Sequence, residues 1–173
     1  MLSSIAVSFL LGLASLTQAA PALAVRASIS DISGAQNAWA ADTSKVSQFL
    51  SAAPKLRGAS LAGAAQAALD AELDELTRKK VLDGQFGGDP SVKAADATLT
   101  RPDTFQFVVD GLRTLATDGA SMSAADVAAL VARVNDTRCK NVLPAIDAYF
   151  RAASKKLNNG LAALANRPDN CPA

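Results

Sequence analysis

Residues Cys139–Cys171, CKNVLPAIDAYFRAASKKLNNGLAALANRPDNC, hold both cysteines of the chain and its last long amphipathic segment. Val142, Ile146, Tyr149, Phe150, Ala153 and Leu157 recur at steps of three and four, one face of an α-helix. Asn141 is the expected N-cap, and Pro144 falls in the first turn, where its missing N–H costs nothing. Where this helix ends decides whether the cysteines can meet. Run on to Ala165, it would carry the chain ~39 Å from Cys139 at ~1.5 Å per residue, and the six steps back to Cys171 reach only ~20 Å. A disulfide needs its two Cα atoms within ~7 Å. The helix is therefore expected to break at Asn158-Asn159-Gly160, where Gly or Asn in the left-handed conformation makes a natural C-cap. Leu161–Ala165 then becomes a short returning turn. Closure would stabilise the fold by roughly 3–4 kcal/mol in the chain-entropy model. The rival reading is a bridge between two chains.

The chain has 173 residues, half of them apolar, enough for one domain with a real core. About a fifth are alanine and aromatics are few, a composition that favours closely packed helices over a β-sandwich. The net charge of +1 gives no drive toward nucleic acid or an anionic membrane. There is no histidine, which removes the commonest general base and the commonest zinc ligand. With the cysteines assigned to a bridge, the expectation is a non-enzymatic protein without catalytic residues, metal or cofactor.

Residues 1–19 read as a secretory signal: an apolar run from Ile5 to Leu16, with small residues at Thr17 and Ala19 before the cut. Ala22-Leu23-Ala24 is a possible later site. The run is shorter than the ~20 apolar residues a membrane span needs. Residues 20–173 are then expected to form a single secreted helical domain, monomeric, in an oxidising compartment that suits a disulfide.

Ser28-x-x-Asp31 is a capping box for a first helix with Ile32, Ala35, Trp39, Val46, Phe49, Leu50 and Ala53 on its apolar face, closed by Pro54. A second helix is expected from about Ser60 to Asp83, burying Leu61, Ala65, Ala68, Leu69, Leu73 and Leu76. Asp70, Asp74, Glu75, Arg78 and Lys79 form its opposite side. We read that side as a solvated face laced by Asp74–Arg78 and Glu75–Lys79 pairs. Residues 84–99, GQFGGDPSVKAADATL, with three glycines and a proline in the first seven, read as a long irregular connection. Thr100-x-x-Asp103 is the expected cap of a third helix with Phe105, Val108, Val109, Leu112, Leu115, Ala116 and Gly119 on one stripe. Met122 and the Ser123-x-x-Asp126 box start a fourth, with Val127, Leu130, Val131 and Val134. Five such helices predict an all-α, antiparallel four- to five-helix bundle with one intrachain disulfide.

Phe86, in the expected loop, and Phe107, ~200° from Phe105 around its helix, are the aromatics least accounted for by these stripes. Phe107 is either a second core contact or an exposed handle, and the pair is the candidate apolar contact surface. Asn135-Asp136-Thr137 is the N-glycosylation sequon, usable if that helix end is exposed.

The Ala20-Pro21 start, the run from Ile32 through Trp39-Ala40-Ala41-Asp42 to Val46 and Phe49, and the alanine-rich Ala62–Leu76 segment resemble secreted fungal proteins of the hydrophobic-surface-binding protein A and cell-wall mannoprotein group. The resemblance covers about the first half of the mature chain. The cysteine pair and the run from Arg138 to Phe150 depart from it. It implies a non-enzymatic role, adsorption to a hydrophobic surface or an apolar ligand held between helices, with cell-wall association. A fatty-acid carrier and a structural or effector protein without a ligand are the alternatives.

Overall fold

The computed structural model describes residues 28–159 and 164–171. The described residues form six α-helices and no strand: α1 (Ile29–Ala52), α2 (Gly58–Phe86), α3 (Pro90–Leu99), α4 (Phe105–Asp118), α5 (Ala124–Thr137) and α6 (Leu143–Leu157). A π-helical turn, Arg138–Val142, joins α5 to α6, so the helices pack as five rods. The expected signal (1–19) lies outside the described residues, as do Gly160 to Ala163.

Ser28 and Asp31 cap α1 reciprocally, as their spacing predicts. After a 3₁₀ turn, Ala53–Lys55, the chain reverses at Gly58, whose φ of +58° suits glycine. The antiparallel α1–α2 pair follows: Trp39 lies beside Glu75, and Ser30 and Asp31 lie beside Gly84. α4 packs on α2, α3 packs on α6, and α5 closes against α4. At that last crossing Gly111 is required, because a β-carbon there would collide with Val134.

The expected loop 84–99 is not one. α2 continues to Phe86, and two glycines then lead to Asp89, which caps α3 through Ser91 N–H with Pro90 in the first turn. The glycines and proline punctuate only three or four residues. The remainder, PSVKAADATL, carries a buried stripe of its own, Val92, Ala95 and Leu99. Thr100 consequently ends α3 instead of capping the next helix, and α4 starts at Phe105.

Asn141 is not an N-cap either. α5 runs into α6 without a break, and Leu143 N–H bonds back to Arg138 C=O, five residues away. Pro144 explains the widened turn: it has no N–H for the Lys140 carbonyl, and its ring crowds that position. The extra residue slips the core-facing stripe from Val127, Val131, Val134 and Arg138 to Val142, Ile146, Phe150 and Ala153, keeping both on the core.

α6 stops where expected, at Leu157, with Asn158 in the left-handed conformation (φ 51°) as its C-cap. Residues 164–168 are not helical, and Leu161 to Ala163 of the expected returning turn lie outside the described residues. The disulfide Cys139–Cys171 forms within the chain, with Cα atoms 5.9 Å apart.

Candidate functional site

On α2 one line of inward-facing positions, Leu61, Ala65, Ala68, Glu72, Glu75, Lys79, Leu82 and Phe86, alternates steps of four and three, with Leu69 and Ala71 buried beside it. Glu72 and Glu75 have 0% exposure, whereas Leu73 and Leu76, expected inside, are 41% and 47% exposed. The reading of Glu75 as part of a solvated face is therefore corrected. Following hydrophobicity from Leu69 to Leu73 and Leu76 leads out of the core, and following the strict spacing leads to the glutamates. Neither expected surface pair forms as such. Arg78 reaches Asp42 on α1 at 3.6 Å, and Lys79 bonds Asp83 and Asp96.

Arg138, also at 0% exposure, is what allows two carboxyls into the core. Its Nε donates to Glu72 Oε2 (3.3 Å), Nη2 to Glu75 Oε1 (3.2 Å) and Nη1 to Ser47 Oγ (3.1 Å). Trp39 Nε1–H donates to the other oxygen of Glu75 at 2.8 Å. Glu72 Oε1 has no partner. Burial pushes both glutamate carboxyls up from their usual range, Glu75 well above it, with the neighbouring Glu72 adding to the rise and Arg138 opposing it. A second network flanks the first. Tyr149 Oη–H donates to Asp83 Oδ1 at 2.5 Å, and burial followed by this bond raises the phenol's pKa. Burial works to lower the Lys79 pKa, but its bonds to Asp83 and Asp96 outweigh that and raise it. The Trp39 ring packs on Tyr149 and Phe150 at centroid distances of 5.2 and 5.7 Å.

Over this cluster opens a cavity of about 240 Å³. Trp39, Leu76, Leu99 and Phe105 are its apolar walls, Lys79 and Thr100 line it as well, and Glu75 lies at its inner side with Trp39, both fully buried. Leu76, Arg101 and Gln106, all exposed, mark the mouth. Two larger hollows, about 570 and 520 Å³, are lined by small, polar and charged residues such as Ser30, Asp31 and Gly34, or Ser47, Gln48 and Ser51, with no aromatic wall.

Phe86 and Phe107 are half-buried against the core, and neither lines the cavity. Asn135 is 1% exposed and its Nδ2 donates to Asn170 Oδ1 at 2.8 Å, so the exposure that a usable sequon requires is missing in the fold. Among the described residues no group of three or more His, Cys, Asp or Glu could hold a metal, and no helix is long and apolar enough to cross a membrane. Arg138 and Glu72 were not singled out in the sequence. Their signal was the continuation of the core spacing through Ala65 and Ala68 on α2 and through Val131 and Val134 on α5.

The chain matches no protein-family model, no curated protein and no solved structure at a significant level.

Proposed function

We propose that this chain is a secreted, non-enzymatic binding protein that holds the apolar part of a small amphiphile in the cavity between α2 and the α3–α4 corner. The observation that carries the reading is the apolar part of that cavity's lining, Leu76, Leu99, Phe105 and the Trp39 indole. Its volume, about 240 Å³, lies below the ~300–1,000 Å³ of pockets that enclose a drug-sized ligand. At ~30 Å³ per water-sized group it has room for about eight such groups, a short chain or one end of a longer one. The extracellular destination and cell-wall association come from the leader and the resemblance, and belong to the same proposal.

Trp39 is the sole tryptophan and a wall of the cavity, so its fluorescence reports occupancy. Titration with 1-octanol should change that emission saturably. Leu76 retains about half its surface, so Leu76→Gln should remove about 1 kcal/mol of contact, a roughly fivefold weaker affinity, with the thermal melt unchanged. No saturable change in the wild type would reject the reading.

Adsorption to a hydrophobic surface is a second reading, favoured by the exposure of Leu73 and Leu76 side by side on α2. Leu73 lies outside the cavity, and Leu73→Gln separates the two: it should weaken adsorption to hydrophobic beads and leave octanol binding intact.

A further inference from the structure

We infer that the ligand of this cavity carries a cationic head: a small apolar amine, its hydrocarbon part against Leu76, Leu99 and Phe105 and its ammonium at the Trp39–Glu75 end. This rests on the cavity being a ligand site and adds the chemistry of the head.

The inner side is built against charge that the protein does not balance. Glu72 and Glu75 share a single guanidinium, Arg138, with no solvent reaching any of the three. A net charge in such a place is heavily penalised, and water is not there to relieve it. The groups that face the pair offer no second cation. From α1 come the Trp39 indole, the Ser47 hydroxyl and Asp42, an acid whose charge reaches Glu75 and which is itself met by Lys45 and Arg78. From the π turn comes Arg138 alone. Lys79, one step further along α2 and a lining residue of the cavity, is committed to Asp83 and Asp96 and so outnumbered by carboxylates. Arg101 at the mouth is paired with Asp103. The cations that line the cavity, Lys79 and Arg101, are thus each paired with carboxylates, and the buried cluster beside Trp39 has two carboxyls for one guanidinium. The walls agree with this sign, since the faces of indole and phenyl rings attract cations. A fatty acid would bring its carboxylate toward two buried carboxyls.

Without a ligand, a proton held by the glutamate pair makes up the missing positive charge. Burial, which raises both carboxyls, favours holding it. An entering ammonium takes over that part and the proton leaves to solvent, one positive charge in and one out. Amine affinity should then rise with pH, while that of a neutral alcohol should not change.

The experiment compares octylammonium, 1-octanol and octanoate by Trp39 fluorescence, on the wild type and on Glu72→Gln. Glu72 does not line the cavity, and its amide would place an N–H₂ where Oε1 now has no partner. In the wild type at about pH 7, octylammonium should bind at least about tenfold tighter than octanoate, with octanol between, and its affinity should rise from about pH 5 to pH 8. In Glu72→Gln the amine should fall to within about threefold of octanol, whose own affinity is kept. Equal binding of the three probes, tighter binding of octanoate, or an amine preference that survives Glu72→Gln would overturn the cationic head while leaving the cavity reading in place. Failure of octanol itself to bind would overturn the cavity reading, and the inference with it.

Discussion

At the scale of single residues, the Arg138 guanidinium is the partner that lets two acids lie in the core. Its removal, as in Arg138→Leu, should cost about 3–5 kcal/mol, because it leaves Glu72 and Glu75 buried without a counter-charge. Glu72→Gln should be nearly neutral by comparison, since a one-to-one Arg138–Glu75 pair remains. The two variants also differ in how stability follows pH. Both glutamate pKa values are raised in the fold above the usual 4.5, so the native chain holds a proton that the unfolded chain releases. That contribution is complete below the unfolded value and is lost as pH rises through the folded one. The wild-type melting temperature should therefore fall from about pH 5 to pH 8, and Glu72→Gln should flatten the slope. Exposed Asp31, Asp89 and Asp103, with pKa values lowered chiefly by side-chain hydrogen bonds, act with the opposite sign and only in more acid solution. A wild-type melt that rises across that range would contradict the buried, proton-sharing pair.

At the scale of elements, the end of α6 offers the sharpest test. Asn158 sits in the left-handed region, which asparagine tolerates and β-branched residues do not. Asn158→Val should cost about 1–2 kcal/mol by urea unfolding, and Asn158→Gly should stay within about 0.5 kcal/mol, as relief of strain is offset by freedom in the unfolded chain. A tolerated valine would mean that the helix ends elsewhere. The break itself was legible because the cysteines could not meet without it, and α1 was legible because Ser28, Asp31 and its apolar stripe agree. α3 was hidden by Gly87, Gly88 and Pro90, which mark a turn whether three residues or sixteen follow. The α5–α6 junction was hidden because Asn141 and Pro144 have the chemistry of a helix start, and only a π turn accommodates the proline without one. On α2, Leu73 and Leu76 drew the apolar face outward, since a polarity pattern cannot register a core position filled by a paired acid. The cavity was the least legible feature, as its walls come from α1, α2, α3 and α4.

At the scale of the molecule, the charge cluster, the C-terminal segment and the cavity form one connected structure. Ser47 accepts from Arg138 and donates to the Asn166 carbonyl at 2.6 Å. Buried Asp147 accepts from Ala165 N–H and from Arg167, and Asn170 Nδ2 donates to the Leu50 carbonyl. The Cys139–Cys171 bridge fixes this strap to the π turn that carries Arg138. On the opposite side the Trp39–Glu75 bond lies between the cluster and the cavity, so the indole whose N–H meets the core charge also lines the ligand space. The chain has a single tryptophan and hence one indole N–H resonance. Its NMR signal should exchange slowly with solvent, shift on addition of octylammonium, and move little with octanoate. An indole N–H that exchanges freely, or one that neither octylammonium nor octanol moves, would contradict the account.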